Sequence, residues 1–314
     1  MMFARLIDLM NPLQSENIDS HAPEAFTVLT AASIAENTKK PLPVLFASPH
    51  SGQYYPNSML ADICVPLMDL RRTEDAFVQD LYANTVNSGA SLVHANYARS
   101  YVDLNRDARE LDPAMFHDGP PRTVAVPSPR VEAGLGCLPR VGARGEEIYA
   151  RQISQAEGEY RLSHVYDAYH GYIRNRLETL HNTFGIAILI DCHSMPSRQP
   201  RKRPLPDIVL GDRFGSSCDN RLTSLVERTF RDMRYTVSRN APYAGGYTTR
   251  CYGRPKRGVH ALQIEINRSL YMDERAVKPN DGFAKLQDDL SILGDTLAAF
   301  ARRIMHEKTV STLP

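Results

Sequence analysis

GIAILIDCHSMP, residues 185–196, decides the fold class. Ile186 to Ile190 is a continuous aliphatic run with a glycine before it and a histidine shortly after. A run that is apolar at consecutive positions suits a strand buried on both faces, the kind found inside sheets covered by helices on each side. It ends at His193-Ser194. VLFASPHSGQYYP (44–56) repeats the pattern: Val44 to Ala47, then Ser48-Pro49, which deliver His50 into Ser51-Gly52.

Other segments extend the pattern. FTVLT (26–30), SLVHANYA (91–98), SYVDLN (100–105), DIVLGD (207–212), RYTVSRN (234–240) and VHALQIEIN (259–267) read as further strands. Helices are expected over Thr73–Ser88, with Thr73 as N-cap and Gly89 as stop, over Glu146–Phe184 ahead of Gly185, near 219–232, and from Asn280 to His306. Residues 112–145 hold six prolines and five glycines and show no period, which predicts a long loop, either functional or disordered. Strands alternating with helices give an α/β fold with a sheet covered on both sides, whose ligands gather beyond the strand ends. His50 and His193 stand at such ends.

The 314 residues are 42% hydrophobic and 23% charged, an ordinary globular balance. A formal net charge of +1 gives no global field toward nucleic acid or anionic membrane. The basic run RQPRKRP (198–204) has no interleaved aromatics, so a nucleic-acid partner is not expected. No apolar stretch is long enough to span a bilayer, and MMFARLIDLMNPLQ carries Arg5 and Asp8 where a signal peptide needs an apolar core. Five scattered cysteines without a C-x-x-C argue against a disulfide framework or a cysteine zinc site. A reduced, cytoplasmic protein is the expectation.

Imidazole is a preferred ligand of zinc, and a catalytic zinc takes three protein ligands. Gln53 occupies the acidic position of an H-x-x-E pair, so the third ligand lies elsewhere. Spacing alone does not choose between Glu74 or Asp75 and a third histidine. Glu265 interrupts an apolar strand between Ile264 and Ile266, where it is either exposed by alternation or held in a cleft as a base. Arg99, Asn105 and Arg106 come from YARSYVDLNRD (97–107). The arginines suit a carboxylate clamp, or an ion pair with Asp103 or Asp107. NAPYAGGYTTRCYG (240–253) adds Tyr247 and Arg250 beside Gly245-Gly246, either at a close approach to a ligand or in an ordinary hairpin bend.

SPHSG-x-x-YP, ED-x-x-V-x-x-LY, RSYVDLNR, LIDCHSMP, PYAGGYTTR-x-YG and HALQIEINR-x-LYM, in that order, resemble the N-formylglutamate amidohydrolase (formylglutamate deformylase) family from about residue 40 to 275. The resemblance implies a zinc-carboxypeptidase-like three-layer α/β/α domain with a central mixed sheet over 41–314, preceded by an N-terminal extension, 1–40, packed on it. It implies one zinc per chain, or another divalent transition metal, held by His50, Asp75 and His193. Glu265 is then the general base. Arg99 faces the developing oxyanion, and Asn105, Arg106, Tyr247 and Arg250 bind substrate. The substrate is a small N-acyl amino acid, N-formyl-L-glutamate in the first place, with a role in histidine degradation. Other N-acyl amino acids or short peptides, and a non-catalytic metal and amino-acid binder, are the alternatives. Family members often carry Trp-His where this chain has Ala76-Phe77, a change expected to remove a substrate contact.

Overall fold

The computed structural model of the chain describes residues 22–31, 40–125, 128–198 and 205–311. The basic run at 199–204 and the segment MMFARLIDLMNPLQ lie outside the described residues.

The strands are β1 (Phe26–Thr30), β2 (Val44–Ser48), β3 (Ser91–Ala95), β4 (Ala187–Met195), β5 (Ile208–Gly211), β6 (Val237–Arg239) and β7 (Val259–Asn267). They form a seven-stranded sheet in the order β1-β3-β2-β4-β7-β5-β6. β3, β2, β4 and β7 run parallel in the middle, while β1 joins β3 and β5 joins β7 antiparallel, so the sheet is mixed. β4 is buried at every position, as its aliphatic run predicts, and continues through His193 to Met195 instead of ending before it. β1 comes from within the first forty residues and forms one edge.

The two-residue strand period sorts the core into two layers. Val44, Phe46, Ile188, Ile190, Leu262 and Ile264 face one side. There they meet α1 (Val78–Tyr82), α5 (Asn220–Asp232) and α7 (Phe283–Ser311). Leu45, Ala47, Ala187 and Leu189 face the other, under α4 (Ala168–Phe184) through Ile173, Leu177 and Leu180. Each buried aliphatic side chain contributes roughly 1.5–3 kcal/mol. A one-residue slip of β4 would turn its whole set to the wrong layer, so the register is strongly fixed. The fold is α/β with helices on both faces of the sheet.

Several boundaries differ from the sequence reading. The helix expected from Thr73 begins at Val78, because Phe77 adopts a left-handed backbone (φ 65°). Thr73 donates its hydroxyl to the Leu70 carbonyl at 2.6 Å instead of capping, so Glu74 and Asp75 stand outside any helix. SYVDLN is not a strand. Its apolar Tyr101, Val102 and Leu104 are buried as in a strand, but its backbone donors go to turns and to Cys137. The helix expected from Glu146 starts at Gln155 as α3 (Gln155–Arg161), where Ser154 accepts from the Glu157 N–H at 3.1 Å, and runs through a π stretch, Leu162–Asp167, into α4. Gly185 ends α4 in the left-handed region, as expected. The 112–145 segment is mainly loop with a short helix, α2 (Pro129–Glu132).

His170 on α4 ties that helix to the 97–107 segment. Its Nε2 lies 2.9 Å from the Leu104 carbonyl and its Nδ1 2.7 Å from the Tyr252 hydroxyl. Burial pushes its pKa down from 6.5 to about 4. Between those values the unfolded chain binds a proton that the folded chain refuses, so stability falls as the pH drops through 6.5 and levels off below 4. This group is expected to remove about 2 kcal/mol between pH 7 and pH 5. Denaturant titrations of wild type and His170→Gln check it: the variant should lose most of that pH dependence, and an unchanged slope assigns it to other groups.

Candidate active site

Three adjacent parallel strands bring the chemistry together. Along β4, Ala187 and Leu189 pack under helices, and then the same face turns polar with Asp191 and His193. Along β7 the polar face carries Gln263, Glu265 and Asn267. Glu265 sits opposite His193 in register. His50 follows β2 by two residues, and its ring centroid lies 4.8 Å from that of His193. Gly52 lets this turn form: an added Cβ would meet the Tyr97 carbonyl at 2.1 Å, so the close approach, not the backbone angle, requires glycine. Asp75 arrives on the irregular 72–77 segment, whose Asp75 N–H donates to the His50 carbonyl at 2.9 Å. Above these residues opens a cavity of about 440 Å³.

His50, Asp75 and His193 are buried, and their ligand atoms lie within 4.8 Å of one another. Asp75 Oδ2 is 3.0 Å from His193 Nδ1 and 3.5 Å from His50 Nδ1. The far side of each ring is held as metal-ligating histidines usually are. His50 Nε2 lies 2.7 Å from Asp103 Oδ1. His193 Nε2 is 3.1 Å from the Asn105 amide and 3.0 Å from Asp191 Oδ1, the latter contact out of line for a hydrogen bond. His50 Nδ1 is a buried nitrogen with no hydrogen-bond partner, and it faces Asp75.

The local charge favours a cation. Asp75, Asp103, Asp191 and Glu265 are 1%, 4%, 0% and 7% exposed. Arg268 pairs with Asp75 at 3.0 Å and Arg99 with Asp103 at 2.8 Å. Neither Asp191 nor Glu265 has a guanidinium partner of this kind among the described residues. Burial alone would lower the His193 pKa, but the Asp191 and Asp75 carboxylates outweigh it and hold the ring well above its usual range, so this pocket draws protons or metal. The orphaned His50 nitrogen, the clustering of buried carboxylates around the imidazoles and the N/N/O donor set fit a divalent transition metal. Glu265 is outside the trio. Burial raises its pKa to about 7, and Gln263 Nε2 donates to its Oε1 at 2.8 Å.

The model of the N-formylglutamate amidohydrolase family matches residues 42–272. The chain belongs to that family. The N-formylglutamate deformylase of Pseudomonas putida is 31% identical over 238 residues, covering 74% of this chain and 83% of that enzyme. That of Pseudomonas aeruginosa is 32% identical over 240 residues, covering 75% and 84%. The crystal structure of the N-formylglutamate amidohydrolase from Ralstonia eutropha JMP134 is 35% identical and superposes with a TM-score of 0.83, covering 90% of this chain and 99% of that one.

Within this site the geometry treats the sequence candidates unequally. Glu74 points away from the histidines and accepts from the Tyr55 hydroxyl at 2.7 Å, so the neighbouring Asp75 is the carboxylate in the trio. Arg99, Arg106 and Glu265 line the cavity. Asn105 does too, but its side chain is already used: Oδ1 accepts from the Thr248 N–H at 2.8 Å and its amide meets His193. Gly246 permits this docking, since a Cβ there would lie 2.4 Å from the Asn105 side chain. Tyr247 and Arg250 are not among the cavity-lining residues. They open α6 (Tyr247–Tyr252), where Tyr247 packs on His170 and Arg250 faces Asp107 and Glu110 at 3.8 and 3.6 Å. Their expected substrate role is not reflected in this placement, because the helix that begins after Gly246 carries both side chains off the cavity wall. Ala76 and Phe77 also miss the cavity. Ala76 is core and Phe77 packs edge-on to Phe283, so neither offers the cavity a contact in this chain.

Residues without a role in the sequence reading complete the site. Asp191 and Arg268 stand in quoted motifs, one two residues before His193 and one just after β7. Asp103 was visible only as a possible ion-pair partner of an arginine. Arg130 lay in the unpatterned 112–145 segment, where no periodicity could single it out.

Proposed function

We propose that this chain hydrolyses the amide of N-formyl-L-glutamate, or of a related N-acyl amino acid, to the free acid and the amino acid. The observation that carries this reading is the juxtaposition, in one cavity, of a buried His/Asp/His ligand trio and a further buried carboxylate, Glu265, in register with His193. The family relatives, whose names give N-formylglutamate as their substrate, support the choice of amide. His50, Asp75 and His193 would hold zinc, or another divalent transition metal, which supplies Lewis acidity toward the carbonyl when bound.

The chain's own residues do the rest. Glu265 Oε accepts a proton from the attacking water as its oxygen adds to the amide carbon. The same carboxyl then delivers that proton to the amine nitrogen as the C–N bond breaks. Gln263 fixes one Glu265 oxygen and leaves the other for transfer. Arg99 is held by Asp103, so its guanidinium is preset toward the cavity, where it faces the charge that develops on the carbonyl oxygen. Arg106 takes the α-carboxylate in this mechanism.

Initial rates on N-formyl-L-glutamate, N-acetyl-L-glutamate and dipeptides test the reading. N-formyl-L-glutamate should be preferred over its acetyl analogue by about tenfold or more in kcat/KM, the usual discrimination for one extra carbon in a fitted pocket. A better rate on the acetyl compound or a dipeptide would reassign the acyl group. Absence of turnover with the metal-loaded protein would sink the hydrolase reading and leave a binding protein.

A further inference from the structure

Five arginines line the cavity. Arg72 pairs with Asp69 at 2.6 Å, Arg99 with Asp103 at 2.8 Å and Arg268 with Asp75 at 3.0 Å. Arg106 and Arg130 form no ion pair among the described residues. Arg106 donates Nη1 to the Asn105 carbonyl at 3.0 Å, and its Nε is buried without a partner. The strongest influence on Arg130 is repulsion from Arg106, which together with partial burial holds its guanidinium below the usual range. The nearest opposing charges are taken: Asp103 serves His50 and Arg99, and Glu110 lies 3.6 Å from Arg250. Two like charges thus look into one cavity, and neither is in direct contact with a carboxylate among the described residues.

The surroundings of Arg130 sharpen the point. The 112–145 segment contributes Arg130, Leu135, Gly136, Pro139, Val141, Gly142 and Ala143 to the wall, and of these only Arg130 carries charge. It is exposed at the cavity rim, on a short helix capped by Ser128, begun by Pro129 and anchored by the buried Val131.

We propose that Arg106 and Arg130 are a two-point clamp for a dicarboxylate, with Arg130 the specificity-determining residue that reads the side-chain carboxylate of an N-acyl acidic amino acid. This rests on the hydrolase reading above and deepens it. Arg106 follows Asn105, whose amide touches His193, so it stands beside the reacting end and takes the α-carboxylate, which is bonded next to the amide. Arg130, from a separate segment at the rim, takes the carboxylate at the far end. Guanidinium–carboxylate pairs are directional and strong, and a site built for one discriminates against a neutral analogue.

The test compares N-formyl-L-glutamate with N-formyl-L-glutamine, which keeps the shape and lacks the charge, in wild type and Arg130→Gln. Wild type should favour the glutamate compound by about 100-fold in kcat/KM. In Arg130→Gln that ratio should fall to within about threefold of unity, mainly through KM, because the lost contact holds substrate equally in the ground and transition states. A ratio that survives the substitution, or an equal loss on both substrates, overturns the proposal. Calorimetric titration with L-glutamate and L-glutamine separates the two readings. If neither formyl compound is cleaved but glutamate binding is selectively lost in Arg130→Gln, the clamp stands and the hydrolase reading fails. If neither amino acid binds wild type and neither compound is cleaved, both fail.

Discussion

Replacing Glu265 by glutamine is expected to lower kcat by about 10²–10⁴-fold, the usual contribution of a positioned acid–base group. The substitution is conservative in the respects that matter structurally. Gln263 donates to Glu265 Oε1, and an amide oxygen can accept the same bond. Glu265 is not one of the three clustered ligands, so metal content should stay at that of wild type. What glutamine cannot do is take a proton from water and return it to nitrogen. The discriminating result is therefore a pair of measurements: metal per chain by atomic spectroscopy, unchanged, and turnover, nearly gone. Near-normal turnover would move the base elsewhere. Loss of metal along with turnover would place Glu265 among the ligands.

Asp75→Asn should have the other large effect, on metal first and on rate as a consequence. Asp75 Oδ2 faces both imidazoles, at 3.0 and 3.5 Å, and its second oxygen receives Arg268 at 3.0 Å. An asparagine keeps the shape but removes the only carboxylate of the trio. Metal per chain is expected to fall from about one to near zero after dialysis, with activity at the level of the metal-free protein. Asp103→Asn is the matched comparison. Asp103 supports His50 from behind, at 2.7 Å, and changes to such supporting partners typically cost 10–100-fold in metal affinity or activity. If the two variants lost metal equally, Asp75 would be a supporting group and not a ligand.

The central sheet was legible because its strands carry their own signature. Ile186 to Ile190 places the start of β4 within a residue, although the strand runs on to Met195, and VHALQIEIN matches β7 at both ends. The two histidines were legible because each interrupts an apolar run. Asp75 was not fixed by spacing. Its position depends on Phe77, whose left-handed backbone delays the helix until Val78, and a phenylalanine gives no local signal for that conformation. SYVDLN misled for a related reason. It buries apolar residues at strand-like intervals, yet it also buries Ser100, Asp103 and Asn105, which serve the site and not a sheet. Arg268 and Asp191 act through partners 193 and 2 residues away in sequence, and the long-range contact is invisible until the sheet assembles. NAPYAGGYTTRCYG divides between the two outcomes: Pro242 to Gly246 line the cavity, while Tyr247 and Arg250 on the helix that follows do not.

Arg268 has a consequence for the order of events. Its guanidinium holds Asp75 Oδ1, the Arg72 carbonyl and the Ser194 hydroxyl at 3.0, 2.9 and 3.1 Å. One side chain at the end of β7 thus straps the 72–77 segment to β4, and the strap involves no metal. That contact fixes Asp75 Oδ1 and leaves Oδ2 toward both imidazoles. A zinc-finger domain gathers its ligands only as the ion arrives, so ion and fold come and go together. In this chain the proposed ion would meet a carboxylate that a protein contact already positions, so removing the ion should cost the fold far less than it costs a zinc finger.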